Sequence, residues 1–162
     1  MSGLLSHKVY TLAIIRNEAK ILLGYKKRGF GKGKWNGFGG KVEEGESIID
    51  AALREVKEEC GLEPKDLTKI GTLEFQFLEN PEIMKVNVFK SEVFTGEVAE
   101  SEEMLPKWFH KDDIPYANMW PDDKHWLPLL LTNQSFSGFF LYDEGENILE
   151  KRLTVLDSIP VV

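Results

Sequence analysis

The stretch that most constrains this chain runs from Gly40 to Leu62 and reads GKVEEGESIIDAALREVKEECGL. A glycine turn leads into a helix, and the helix has a defined stop. Ser47 is a good N-cap, with Asp50 three residues on, close to a capping box. Ile49, Ala52, Leu53, Val56 and Cys60 recur at helical spacing and predict one apolar stripe. Gly61 stands where a C′ glycine ends a helix. Glu55, Glu58 and Glu59, at i, i+3 and i+4, share a second face beside that stripe. Like charges at this spacing repel, so a helix built for stability alone avoids them. A hard divalent cation turns the repulsion into binding, because Mg²⁺ and Ca²⁺ take carboxylate oxygens. Arg54, four residues before Glu58, is placed to hold that carboxylate. On the helix alone, a solvated acidic face is the more ordinary reading.

The segment before the helix changes the weighing. Lys20, Lys26, Lys27, Arg28, Lys32, Lys34 and Lys41 follow one another with no acid between them. Glycines are dense over the same stretch and allow a ligand to approach the backbone amides closely. Basic side chains beside such a backbone suit phosphate, and an acidic helix follows directly. A polyphosphate bridged by a divalent cation needs both signs of charge. Phe30, Trp35 and Phe38 are interleaved and can stack on a base or fill the core.

The remaining chain reads as strands with one more helix. Val9 to Ile15 and Ile21 to Tyr25 form a first hairpin about Arg16-Asn17-Glu18. Leu73 to Phe77 and Met84 to Phe94 form a second, and Lys107 to His110 is a short strand. Glu97, Glu100, Glu102 and Glu103 make an acidic loop, mostly solvated, from which one carboxylate can reach a metal. In NMWPDD, Asp122 or Asp123 starts a short helix that runs through Leu131, and capping is the ordinary role of an aspartate there. Pro128 sits in its early turns or kinks it. Phe136 to Tyr142 and Ile148 to Leu156 make a final hairpin, and the tail from Asp157 is expected to fray. The chain therefore reads as a single α+β domain over residues 1–162.

Composition excludes some partners. A net charge of -7 argues against a general nucleic-acid binder or an anionic-membrane binder. The one cysteine, Cys60, cannot form an internal disulfide and fits a reducing compartment. MSGLLSHKVY lacks the apolar core of a signal peptide, and no run approaches membrane-spanning length. The expectation is a cytoplasmic monomer that acts on a small molecule, with nucleus and mitochondrion left open.

The Gly40–Leu62 stretch matches Gly-x5-Glu-x7-Arg-Glu-U-x-Glu-Glu-x-Gly-U, where U is aliphatic, at every fixed position: Gly40, Glu46, Arg54, Glu55, Val56, Glu58, Glu59, Gly61 and Leu62. That is the Nudix box. Together with KKRGFGKGKWNGFGGKV, NMWPDD and WLPLLL, it makes the chain resemble the eukaryotic MutT-homologue branch of the Nudix family nearly end to end. The resemblance implies a Nudix fold, a mixed β-sheet in an α/β/α sandwich. It implies hydrolysis of oxidised purine nucleoside triphosphates, such as 8-oxo-dGTP and 2-hydroxy-dATP, to monophosphate and pyrophosphate, which cleans the nucleotide pool. The cofactor implied is Mg²⁺, with Mn²⁺ able to substitute.

Carried over position by position, the resemblance assigns Glu55, Glu58 and Glu59 to metal binding and catalysis, with Arg54 beside them. It assigns the Gly39 carbonyl and Glu103 to the remaining metal ligands. Thr11, Phe30, Asn36, Phe75, Phe77, Met84, Trp120, Pro121, Asp122, Asp123 and Trp126 match the base pocket. Lys26, Phe38, Gly39, Gly40 and Lys41 match the triphosphate contacts. For Thr11 and Asp122 this replaces the plainer strand and capping roles. Two other readings stay open: a Nudix hydrolase of another diphosphate, such as ADP-ribose or a diphosphoinositol phosphate, and a Nudix-fold binding module without activity. The first would share the box but not the Trp-Pro-Asp-Asp segment, and the second would be expected to have lost box glutamates.

Overall fold

The computed structural model describes residues 6–156; the tail from Asp157 lies outside them. The chain opens with β1 (Ser6–Arg16) and β2 (Lys20–Lys26), which pair antiparallel only near the turn, at Ile15 with Leu22 and Arg16 with Ile21. Beyond that point the two strands part. The segment after the short β3 (Trp35–Asn36) enters the gap and bonds to β1. Thr11 N donates to Gly40 O, Ala13 N to Phe38 O and Val42 N to Val9 O. Along its other edge β1 runs parallel to β6 (Glu82–Ser91) for its whole length. β6 in turn pairs with β5 (Thr68–Phe77), and β5 runs parallel to β9 (Phe136–Tyr142). β10 (Ile148–Val155) closes one edge, while β8 (Met104–His110) pairs with β2 on the other side. A small second ladder joins β4 (Glu63–Pro64) to β7 (Phe94–Thr95).

Both sheet faces are covered. Alternate residues of β1 and β2 go to different cores, as a strand period of two requires. Ala13, Ile15 and Leu22 pack with Ala52, Val56 and Cys60 of α1 (Ile48–Cys60). Ile14, Ile21 and Leu23 pack with Trp126, Leu127 and Leu130 of α2 (Asp123–Leu131). This explains the unbroken apolar runs in β1 and β2, since central strands buried on both faces need not alternate. Among the described residues no helix is long and apolar enough to cross a membrane.

The box helix begins and ends as its sequence predicts. Ser47 Oγ accepts from Asp50 N at 3.1 Å, and Gly61 closes the helix at φ 83°. Its buried face differs from the predicted stripe. Ile49, in the first turn, is 43 % exposed, while Glu59 is buried among Ala51, Ala52, Val56 and Cys60. The helix is thus rotated so that a carboxylate shares the core side. Burying Val56 or Cys60 contributes on the order of 2 kcal/mol each, and a like-charge helical pair costs only a few tenths of a kcal/mol. Packing therefore holds α1 in place against the repulsion of its glutamates.

Asp66 secures the connection after α1. Its carboxylate accepts from Ser91 Oγ at 2.6 Å and from the Val93 and Glu92 amides at 3.0 and 3.1 Å. Burial by itself would raise its pKa, but these donors outweigh burial and lower it. A carboxylate with a depressed folded pKa stabilises above its unfolded pKa and loses that contribution as the pH falls. Asp66→Ala is expected to lower stability by about 1 kcal/mol at neutral pH. In urea titrations the gap to wild type should close as the pH drops below about 4. A gap of constant size down to pH ~2 would contradict this account.

Candidate active site

Gly39 and Gly40 lie between β1 and α1, and the space there decides their identity. A Cβ on Gly39 would stand 1.9 Å from the Thr11 carbonyl oxygen, and one on Gly40 would stand 2.2 Å from Glu55 Oε2. With no side chain, the turn lies flush on β1, and Gly39 N donates to Glu59 Oε1 at 2.9 Å. The three glutamates of the box occupy different depths. Glu59 is 5 % exposed, Glu55 is half-buried, and Glu58 is exposed.

Arg54 orders this end of the site. Its guanidinium grips Glu46 at 2.6 and 3.0 Å and reaches Glu55 and Glu58 at 3.2 Å each. It also donates to the Lys41 carbonyl at 3.3 Å. The fork therefore ties the box loop to the helix, as a bidentate arginine can and a lysine cannot. Glu103 accepts from Lys26 Nζ at 2.8 Å and Arg28 Nε at 2.9 Å. Lys27 pairs with Glu100. Much of the basic run expected to face phosphate is thus neutralised by the acidic loop, which β8 carries up beside β2. Lys41 is exposed and bridges β1 through its backbone.

Among the described residues no three acidic, histidine or cysteine side chains converge on a common point. Glu55 and Glu59 are brought together, whereas Glu58 is drawn to Arg54 and Glu103 to Lys26 and Arg28. The donor chemistry still fits a hard cation. Burial first, and then the Glu55 and Glu103 charges, push the Glu59 carboxyl up to about 8, against the pull of the Gly39 amide and Lys26. Glu55 is raised as well, chiefly by burial. Two carboxylates withdrawn from water beside one another lack positive charge, which a divalent ion supplies.

The same cavity, about 270 Å³, extends from Gly39, Gly40 and Glu59 past Lys26 and Asn36 to an aromatic end. Phe30 stacks on Trp120 with centroids 5.1 Å apart, and Phe77 meets both edge-on. Phe75 and Met84 complete the walls, while Thr11, Asp122 and Asp123 supply buried polar groups. Thr11 Oγ1 and Asp123 Oδ2 are buried with no hydrogen-bond partner. Such atoms are costly unless a ligand satisfies them. Asp122 stands at the N-cap position of α2 but makes no capping bond. Its Oδ2 accepts from Trp126 Nε1 at 2.7 Å and its Oδ1 from the Tyr142 hydroxyl at 2.5 Å.

Burial raises the pKa of both aspartates. Tyr142 and Trp126 work against burial at Asp122, whereas the Asp122 charge adds to it at Asp123. Burial together with the Asp122 charge thus favours the protonated form at Asp123 more than at Asp122. Of the residues expected in the site, Phe38 is fully buried in the core beneath it, and Trp126 lies behind Asp122. Pro121 and Lys41 do not line the cavity, and of the expected metal and catalytic side chains Glu59 does, while Arg54, Glu55, Glu58 and Glu103 do not. Sequence reasoning missed Tyr10, Leu12, Gly31, Gly37, Val86, Met104 and Tyr142, which do line it. Tyr142 carried no signal beyond being the last residue of a predicted strand.

A model of the NUDIX domain matches residues 6–130. The chain is 48% identical over 151 residues to the oxidized purine nucleoside triphosphate hydrolase of Mus musculus, covering 93% of this chain and 97% of that protein. It is 46% identical over 152 residues to the protein of the same name from Danio rerio, covering 94% and 97%. Among solved structures, the MutT protein from Bacillus halodurans superposes with a TM-score of 0.81 at 28% identity, over 90% of this chain and 97% of that one.

The two glycines separate fold from site. Gly39→Ala drives a Cβ into the backbone of β1 and should lower the melting temperature markedly. The nearest atoms to a Cβ at Gly40 are the carboxylate end of the Glu55 side chain, which can turn aside. Gly40→Ala should leave the melting temperature nearly unchanged and weaken Mn²⁺ binding measured by calorimetry. Equal Mn²⁺ affinity in wild type and Gly40→Ala would remove Glu55 from the metal site.

Proposed function

Because the chain belongs to the Nudix family, we propose that it hydrolyses oxidised purine nucleoside triphosphates to the monophosphate and pyrophosphate, and so clears damaged precursors from the nucleotide pool. One observation carries this reading: a single cavity joins the Glu59 and Gly39 end to an aromatic end floored by unpartnered buried polar atoms. The first end suits a polyphosphate and the second a flat heterocycle with hydrogen-bonding edges. The names of the mouse and zebrafish relatives support the same substrate class. A single-domain cytoplasmic monomer working on free nucleotides completes the proposal.

Glu55, Glu59 and the Gly39 carbonyl would hold a divalent cation, with Glu58 and Glu103 joining once released from Arg54 and from Lys26 and Arg28. Mg²⁺, or Mn²⁺ in its place, supplies charge neutralisation at phosphate and a lower pKa for a bound water. The chain's own groups do the rest. Phe30, Phe77 and Trp120 offer apolar ring surface to the base, and Thr11, Asn36, Asp122 and Asp123 address its edge. Gly39 and Gly40 let the phosphates approach the backbone, and Arg54 keeps the box carboxylates from drifting. A carboxylate oxygen of the Glu55, Glu58, Glu59 set takes the proton of the attacking water. Attack at either phosphorus of the α–β bridge breaks the same linkage and gives the same products. Lys26 stabilises the charge that develops on the phosphate oxygens as the α–β bridge breaks.

Glu59→Gln is nearly isosteric, so it should keep the fold and lose roughly 10²–10⁴ in kcat. Chelation with EDTA should abolish turnover. Product chromatography yielding diphosphate plus orthophosphate, or full activity in EDTA, would refute the reaction assigned.

The aspartate pair supports acceptance of more than one damaged base. A protonated carboxyl donates one hydrogen bond and an ionised one only accepts, so moving the shared proton changes what the floor of the pocket offers. Asp122→Asn and Asp123→Asn are each expected to change the kcat/KM ratio for 8-oxo-dGTP against 2-hydroxy-dATP, rather than scale both equally. An unchanged ratio in both variants would return these residues to a structural role.

A further inference from the structure

Asp122 and Asp123 are adjacent and equally buried, yet both oxygens of Asp122 accept from protein donors, whereas Asp123 Oδ2 is buried with no partner. Tyr142 is the unusual member of this arrangement. Its side chain is fully buried, stacked on Phe77 at 5.4 Å and set edge-on to Trp120 at 5.5 Å. Its hydroxyl oxygen accepts the Asp122 amide at 3.0 Å, so the hydroxyl hydrogen is left for Asp122 Oδ1 at 2.5 Å. Trp126 Nε1 can only donate, and it points at Oδ2. A proton on Oδ2 would face the indole hydrogen. A proton on Oδ1 would force the tyrosine hydroxyl to turn away and give up its bond.

Resting on the reading of this cavity as a purine pocket, we propose that Tyr142 is a positioning residue that biases the shared proton, favouring Asp122 as the acceptor and Asp123 as the donor without preventing exchange, and thereby sets which purine edge the pocket prefers. A 6-oxopurine carries an acceptor at position 6, where a 6-aminopurine carries a donor. A pair with a favoured order of acceptor and donor discriminates between these edges, because the mismatched one leaves a buried group unpaired. A pair without that bias discriminates less. The other ionisable groups facing the aspartates are all shifted toward their neutral forms. His125 is pushed below its usual range, chiefly by burial, and Tyr116 and Tyr142 are pushed above theirs, chiefly by burial. Fixed donors rather than a neighbouring cation therefore decide where the proton sits.

Tyr142→Phe removes the hydroxyl and keeps the ring that packs on Phe77 and Trp120. Two measurements on the full-length protein test the proposal. The first is carboxyl ¹³C NMR of labelled aspartates in the ligand-free protein, with Asp122 assigned through Asp122→Asn. In wild type the Asp122 signal should be that of a carboxylate at neutral pH, and in Tyr142→Phe its titration should move to higher pH. The second is kcat/KM for 8-oxo-dGTP and 2-hydroxy-dATP. Whichever of the two wild type prefers, the preference should shrink by about tenfold in Tyr142→Phe, the order expected for loss of one hydrogen bond to a charged group. In an Asp122→Asn background, Tyr142→Phe should leave the ratio where it was. A merely structural tyrosine would instead reduce both activities alike and do so in either background.

An unmoved Asp122 signal overturns the proposal, and so does an unchanged ratio. If wild type cleaves neither triphosphate, the substrate reading fails by itself. The NMR comparison still decides whether Tyr142 sets the ionisation of Asp122.

Discussion

The structure depends on one close approach. The segment from Gly37 to Val42 lies directly against β1, in the place where β2 would lie had the first hairpin continued. Backbone bonds hold it there, and the absence of a Cβ at Gly39 lets it in. Three things follow from this insertion. β1 and β2 part, which opens the slot that becomes the cavity. The turn at Gly39 meets α1, so its amide can reach a glutamate carboxylate 20 residues further on. The box helix is thereby fixed to the sheet by a polar contact as well as by Val56 and Cys60.

The two ends of the cavity treat buried carboxylates differently. At the aromatic end Asp122 is served by neutral donors from Trp126 and Tyr142, and burial raises the pKa of both aspartates. At the glycine end Glu59 has one amide bond and two acidic neighbours. Neutral donors settle a carboxylate without attracting an ion, and so preserve a pattern of hydrogen bonds for a base to read. A carboxylate short of donors is held in reserve for a cation. A floor that must recognise a neutral ring and a mouth that must accept a charged chain need these opposite treatments.

Much of this was legible in the sequence because it is local. The capping of α1 by Ser47, its stop at Gly61 and the turns of the three antiparallel hairpins rest on contacts within a few residues, although the first hairpin pairs only beside its turn. The motif residues that line the cavity, from Thr11 to Asp123, were reached through resemblance rather than through any pattern in the residues. What escaped is non-local. The parallel pairings β1 with β6 and β5 with β9 join segments far apart, and no local pattern specifies a partner. The pairing of Lys26, Lys27 and Arg28 with the acidic loop depends on β8 lying beside β2. The departure of Ile49 from the buried stripe, and the burial of Glu59 in its place, depend on how α1 is rotated over the sheet.

That rotation bears on how a substrate is admitted. A polyphosphate entering beside Glu59 meets Glu55 and Glu103 as well, while Lys26 and Arg28 are already engaged with Glu103. At a few ångströms, partly shielded from water, each like-charge encounter costs on the order of 1–4 kcal/mol. The lysines alone do not offset this, because separating them from Glu103 exposes that carboxylate in turn. Charge balance has to arrive with the substrate. The buried Glu59 is consequently better suited to a phosphate chain that brings its own divalent ion than to a bare one. The basic run read in the sequence as a phosphate cradle serves first to hold the acidic loop beside the site.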